Sequence, residues 1–230
     1  MIQHLGVIMD GNRRWAVSHG MDVLLGHSKG GVDAARRTID FCLKKNISYL
    51  SLYVFSLEND KRSDSEKNFL FNLIVNESIN FIEDCKKQGI KVCFVGERSL
   101  FPSIARQSIE SIETSTQQGQ SLTLFVCFYY GGQQEIVAAA KALCAKVANG
   151  MLALDAIDQK AFENCLWIHD VPSPELIIRT GKVKRLSNFL LYHAAYSELC
   201  FIDCLWPEIT FDHLEKSLQD YCATKRNFGR

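Results

Sequence analysis

A short segment near the start, Asp10-Gly11-Asn12-Arg13-Arg14-Trp15, follows an apolar run and joins a carboxylate, a glycine and two guanidinium groups. A strand that runs into a glycine turn and then a helix start presents free backbone N–H groups and the positive end of a dipole. Two arginines deepen such an anion site, because guanidinium forks match phosphate oxygens. Asp10 would repel a bare phosphate. It makes sense where a Mg²⁺ ion bridges the carboxylate and a polyphosphate. The other reading makes Asp10 a helix cap and leaves the arginines solvated. No G-x-x-x-x-G-K-[ST] is present, so the segment is not a P-loop.

A second polar run, Ser56-Leu57-Glu58-Asn59-Asp60-Lys61-Arg62, also follows an apolar stretch. A third, Arg179 to Asn188, places Arg179, Lys182, Lys184 and Arg185 beside the Ser187 hydroxyl and suggests a second anion site. Glu198 follows shortly after. The six histidines show no metal-ligand spacing, although His27 opens a helix that could face the first anion site.

Elements must bring these segments together. Short apolar runs at 5–9, 49–55, 91–95, 121–128, 176–179 and 199–203 read as strands, several apolar throughout and so covered on both faces. Helical periodicity marks 28–45, 65–88, 101–117, 132–148 and 212–226, with Gly89 ending the longest. Alternation of this kind gives a single α/β domain, 1–230, with a mostly parallel six-stranded sheet flanked by helices. Sites in such sheets lie beyond the carboxyl ends of the strands, which is where all three polar runs fall.

Composition sets limits. The chain has 230 residues, 47% hydrophobic and 23% charged, as a globular core requires. Its 26 Lys+Arg balance 26 Asp+Glu, which argues against a nucleic-acid-coating protein but not against a local cationic pocket. Nine cysteines, mostly inside apolar runs and without a C-x-x-C pair, read as buried reduced thiols. The start lacks a leader pattern and no apolar stretch approaches the roughly 20 residues of a membrane span, so a cytoplasmic protein is expected. Two anion sites, one with a lone carboxylate, beside an apolar-faced helix fit the joining of two diphosphate-bearing apolar substrates.

These residues resemble the cis-prenyltransferase family, the undecaprenyl diphosphate synthase-like isoprenyl transferases. The resemblance runs through His4–Ala16, Gly26-His27, Tyr53–Asn59, Tyr130-Gly131-Gly132, Arg179-Thr180-Gly181, Arg185-x-Ser187-Asn188-Phe189, Glu198-Leu199-x-Phe201 and Leu205-Trp206-Pro207. It implies a homodimer with a hydrophobic tunnel. It also implies Mg²⁺-dependent addition of isopentenyl diphosphate to an allylic diphosphate of farnesyl type, with cis double bonds, to give an undecaprenyl-type lipid carrier. Product release would allow peripheral membrane contact. By motif position, Asp10 handles Mg²⁺ and the leaving diphosphate. Gly11, Asn12, Arg13, Arg14, His27 and Arg62 serve the allylic diphosphate. Arg179, Arg185 and Ser187 hold isopentenyl diphosphate. Ser56, Glu58 and Asn59 line the reacting region, with Asn59 assisting proton removal. Glu198 helps place Mg²⁺ or completes a dimer-related site.

The chain departs from the family pattern at Val23, Asp60, Ser63, Tyr129, Gln133 and Lys182-Val183-Lys184. The last change removes a carboxylate and a glycine and adds two lysines. One reading has Lys182 and Lys184 doing a metal's work at the second site; the other points them at solvent. The departures also leave room for a short-chain or irregular condensation, or a non-catalytic prenyl-diphosphate-binding subunit.

Overall fold

A computed structural model describes residues 2–61 and 63–224, excluding the side chains of residues 27, 29, 77 and 78. Arg62 and the side chain of His27, both assigned to the allylic site above, therefore lie outside the described residues.

Six strands, β1 (His4–Ile8), β2 (Tyr49–Ser56), β3 (Ile90–Val95), β4 (Leu122–Tyr130), β5 (Leu176–Arg179) and β6 (Glu198–Phe201), form one sheet in the order β3-β4-β2-β1-β5-β6. All five pairings are parallel. Each strand lies within a residue or two of its expected bounds. The principal helices are α1 (Asn12–Ser18), α2 (Val23–Leu25), α3 (Val32–Lys44), α4 (Asp64–Gln88), α5 (Ser103–Thr116), α6 (Gly132–Ala148), α7 (Gln159–Glu163) and α8 (Phe211–Ala223). The helix expected over 28–45 is shorter at its start, because Gly26–Gly31 winds as one wide turn before α3.

Side chains alternate across the strands and divide the core. Leu176 and Ile178 join the cluster under α3, α4, α5 and α8, whereas Ile177 joins the second cluster with Tyr53, Phe125, Cys127 and Phe189. Cover on both faces explains why the strands lack polar alternation. The thiols are unpaired, but not all are buried: Cys42, Cys85 and Cys127 are, while Cys144 and Cys222 are exposed. Burial pushes the three buried thiols above their ordinary range, which suits packing and not nucleophilic chemistry.

The chain passes from β1 to β2 on one side and later returns to place β5 on the other. This makes the β1–β5 crevice a topological switch point, where parallel sheets bind ligands at the strands' carboxyl ends. Asp10 follows β1 and Arg179 ends β5.

His4, at the opposite end of β1, is 1% exposed, with Nδ1 on the Pro172 carbonyl (2.7 Å) and Nε2 on Ser51 Oγ (2.8 Å). Burial lowers its pKa to about 4 from an ordinary 6.5. The unfolded chain therefore takes up a proton that the folded one refuses. Stability is full above about pH 6.5 and falls by about 3 kcal/mol as the pH drops towards 4. His4→Gln is expected to flatten this part of the acid limb. Urea midpoints of both proteins at pH 7.5 and pH 4.5 check it, and equal acid losses would contradict the assignment.

Candidate functional site

The backbone of Asp10 is fixed from two directions. Its N–H donates to Thr180 Oγ1 (3.1 Å), and its carbonyl accepts from Thr180 Oγ1 (2.8 Å) and from the Trp206 N–H (3.0 Å). Thr180 follows β5, and Trp206 belongs to the Leu205-Trp206-Pro207 run. Gly181 is needed here: a Cβ would stand 2.5 Å from Arg14 Nη2 and 3.0 Å from Asp10 Cγ, and φ is +90°.

The Asp10 carboxylate is shared by the two arginine groups. Arg14 Nη2 donates to Oδ1 (3.0 Å) and Arg179 Nη2 to Oδ2 (2.8 Å). Arg14 Nη1 also donates to the Gly181 carbonyl (2.7 Å). Arg179 is only 4% exposed, and its Nη1 donates to Ser187 Oγ (2.7 Å) and the Arg185 carbonyl (2.6 Å). Arg185 Nε reaches the same Ser187 hydroxyl at 3.2 Å. Thus the first and third polar runs meet at one carboxylate. Arg13, by contrast, turns to Glu66 on α4 (3.4 Å).

The second run arrives from β2. Ser56 N–H donates to Asn59 Oδ1, and Asn59 N–H to Ser56 Oγ, both at 3.2 Å. These reciprocal bonds close the turn carrying Glu58 and Asn59. A cavity of about 770 Å³ is lined by Asp10, Asn12, Ser56, Glu58, Asn59, Arg179, Arg185, Ser187 and Asn188, with Val32, Ala35, Leu52, Val54, Leu70 and Leu73 as its apolar wall. A smaller apolar cavity of about 180 Å³ shares Val32, Ala35, Leu52, Val54 and Leu73 with it. It extends between α3 and α4 towards Phe81, Phe94 and Ile112.

Two buried polar atoms at the site have no partner among the described residues: Arg179 Nε and Asn12 Oδ1. An uncommitted buried donor on an arginine suits an anionic ligand. Among the described residues no three His, Cys, Asp or Glu side chains converge as a ready metal site. Asp10 alone fits Mg²⁺ only together with phosphate oxygens, the usual way this ion is held.

Glu198 requires a correction. It opens β6 and pairs with Leu176, while Arg179 pairs with Phe201 at the other end of the same ladder. In a parallel sheet this puts Glu198 at the amino ends, level with Leu5 and roughly 10 Å of strand short of the level of Arg179 and Ile8, with Asp10 farther on. It is not a ligand beside Asp10 within one chain. Lys182 and Lys184 do not line the cavity, and both are exposed. The departures at Asp60 and Tyr129 meet each other: Tyr129 Oη donates to Asp60 Oδ1 (3.3 Å), which also faces Lys67 Nζ (3.4 Å). Ser63 caps α4 by accepting from Glu66 N–H (3.4 Å).

Sequence reasoning missed two residues. Tyr53 Oη donates to the Ser187 carbonyl (3.2 Å), and Asn188 bonds to Glu58 and to the start of α6. Both lay inside the motif runs, but nothing in their spacing marked the partner.

Fold and site together define a parallel α/β protein with an arginine-flanked carboxylate at its switch point, opening on an apolar wall. Residues 8–229 match the family model Prenyltransf, described as "Putative undecaprenyl diphosphate synthase". The chain belongs to this undecaprenyl diphosphate synthase family of prenyltransferases. It is 40% identical over 227 residues to the farnesyl-diphosphate-specific ditrans,polycis-undecaprenyl-diphosphate synthase of Xanthomonas axonopodis pv. citri (strain 306), covering 99% of this chain and 88% of that one. The corresponding synthase of Legionella pneumophila (strain Paris) is 40% identical over 228 residues, covering 99% and 95%. Among solved structures, lavandulyl diphosphate synthase from Lavandula x intermedia, in complex with dimethylallyl diphosphate, superposes with a TM-score of 0.94 at 31% identity, covering 99% of this chain and 98% of that one. A "probable undecaprenyl diphosphate synthase" from Campylobacter jejuni gives 0.81 at 29% identity, covering 100% and 99%.

Proposed function

We propose that the protein condenses isopentenyl diphosphate with an allylic prenyl diphosphate of farnesyl type, forming cis double bonds and yielding an undecaprenyl-type polyprenyl diphosphate. The observation that carries this reading is the Asp10 carboxylate held between Arg14 and Arg179, one from each anion-binding run, at the edge of an apolar-walled cavity.

In this reading Gly11, Asn12, Arg13 and Arg14 receive the allylic diphosphate, and Arg179, Arg185 and Ser187 the isopentenyl diphosphate. The apolar wall between α3 and α4 takes the growing chain as a tunnel. The allylic carbon–oxygen bond breaks as the isopentenyl double bond supplies the electrons of the new carbon–carbon bond. A proton then leaves, assisted by Asn59. Fixed guanidinium groups stabilise the charge gathering on the departing diphosphate, and in a site shielded from water this is strong catalysis. Asp10 would hold Mg²⁺ together with the diphosphate, and the ion would supply further neutralisation of that charge.

The protein acts in this reading as a cytoplasmic homodimer with peripheral membrane contact at product release. The exposed apolar residues Val137 on α6 and Leu199 on the edge strand β6 support a partner surface. Among the described residues no helix is long and apolar enough to cross a membrane. Glu198, remote from Asp10 in its own chain, would serve the site of a second copy.

A second reading has a particular observation behind it. The likeness to a synthase crystallised with dimethylallyl diphosphate, and the loss of a carboxylate at Lys182-Val183-Lys184, favour two allylic diphosphates as the substrates. Incubation with labelled isopentenyl diphosphate, Mg²⁺ and dimethylallyl, geranyl or farnesyl diphosphate separates the two. Label entering a sized polyprenyl product is expected. Product from the allylic diphosphate alone would favour the second reading, and no product from any combination would overturn both.

A further inference from the structure

Asn188 sits where three strand ends converge, in the loop after β5. Its side-chain Nδ2 donates to Glu58 Oε1 (2.9 Å) on the turn after β2, and to Gln134 Oε1 (3.0 Å) after β4. Its Oδ1 accepts from the Gln133 N–H (2.9 Å), and its carbonyl accepts from the Gly132 N–H (2.7 Å). The amide orientation follows from chemistry: a backbone N–H requires the oxygen, and the Glu58 carboxylate requires the NH₂.

Each feature around this carboxamide accommodates it. α6 begins after Gly131, which has no side chain to cap it, so Asn188 supplies the cap from 55 residues away in sequence. A Cβ on Gly131 would stand 2.7 Å from Asn188 Nδ2 and 2.3 Å from Gln134 Oε1, so glycine makes the approach possible. Asn188 itself has φ +65°, a left-handed conformation that asparagine tolerates better than most residues. Its neighbour Ser187, also at positive φ (+50°), carries the hydroxyl that Arg179 holds. Backbone in this region persists only where its surroundings over-determine it.

We propose that Asn188 is a positioning residue for prenyl transfer. One carboxamide fixes the Glu58–Asn59 turn at a set distance from the Arg185–Ser187 loop, and the start of α6 is the rigid post to which both are tied. The inference rests on the prenyl-transfer reading and adds to it a residue that works on the spacing of the two substrates. Misplacement of reacting groups by about 1 Å can cost a hundredfold in rate.

Asn188→Asp separates positioning from folding. One carboxylate oxygen still accepts from Gln133 N–H, and a negative charge there suits a helix start. The other oxygen now faces Glu58 and repels it. Expected are a Tm within about 3 °C of wild type, faster hydrogen exchange of amides 57–61 with amides 132–135 still protected, and a kcat at least about tenfold lower. Adding Glu58→Gln restores a hydrogen bond of reversed polarity, with Gln donating to Asp, and is expected to recover the protection at 57–61 and to raise kcat from the Asn188→Asp value towards that of Glu58→Gln alone. Glu58→Gln alone keeps an acceptor for Asn188 and sets the kcat against which the double variant is read. Asn188→Asp with unchanged kcat, or with exchange at 57–61 unaltered, would overturn the proposal, as would a double variant no better than Asn188→Asp. A wild-type protein that turns over no substrate would instead remove the prenyl-transfer reading. The exchange measurements would then decide whether Asn188 ties the turn to the loop.

Discussion

Asp10→Asn is expected to lower kcat by about a thousandfold while diphosphate binding stays level or tightens. The carboxylate neutralises two guanidinium groups, Arg14 at 3.0 Å and Arg179 at 2.8 Å. The amide removes that charge and leaves both arginines seeking an anion. A diphosphate entering the variant meets a more cationic pocket and no longer displaces Arg179 from a competing carboxylate. What is lost is the acidic group placed between the two arginines and, in the proposed reading, the carboxylate that would anchor Mg²⁺ near the leaving group. Stability should fall by on the order of 2 kcal/mol, less than for a fully buried pair, because Asp10 is 28% exposed and Arg179 keeps two other acceptors. Pyrophosphate should restore part of the lost Tm by supplying the missing anion. Labelled turnover, pyrophosphate calorimetry and thermal melts with and without pyrophosphate give the three readouts. A variant that keeps kcat within tenfold of wild type would remove Asp10 from the chemistry.

The first and third polar runs were legible because each interrupts an apolar strand. Val7-Ile8-Met9 gives way to Asp10, and Leu176-Ile177-Ile178 to Arg179, and in a parallel sheet both breaks must fall at the same edge. What spacing could not supply was the partner across the crevice. Asp10 and Arg179 lie 169 residues apart, and only the β1–β5 pairing brings them to hydrogen-bond distance. Glu198 shows the reverse case. Its place at the start of a strand was visible in the sequence, and parallel pairing alone implies the amino ends of the sheet. Resemblance by motif names a residue but not the end of the element it occupies. Asp60 and Tyr129 read separately as two departures, yet their side chains touch. Each accommodates the other, a relation carried by the register of β2 against β4 and not by either local pattern.

Arg179 should prove the most sensitive residue of the second anion site, and Arg185 the least. Arg179 extends from the end of β5 and spends its fork on three acceptors in three places: Asp10 Oδ2, Ser187 Oγ and the Arg185 carbonyl. Lysine brings the same charge but no planar fork, so Arg179→Lys can satisfy Asp10 or the loop but not both. The expected result is a kcat/KM for isopentenyl diphosphate lower by roughly a hundredfold, with the larger share in KM because the Ser187 loop loses its tether. Arg179→Ala should also destabilise the fold by about 3 kcal/mol, since it leaves the partners of a buried cation unsatisfied. Arg185 is exposed and contributes one bond, Nε to Ser187 Oγ at 3.2 Å, so Arg185→Ala should raise KM by about tenfold with kcat and Tm unchanged. If the two arginines were merely a diffuse cationic patch, their alanine variants would shift KM alike and lose it alike on raising the salt. A strand-held arginine that also orders the loop predicts instead that the Arg179→Lys defect persists at high salt while the Arg185→Ala defect fades. The deciding measurement is the ratio of the two KM values at low and at high ionic strength.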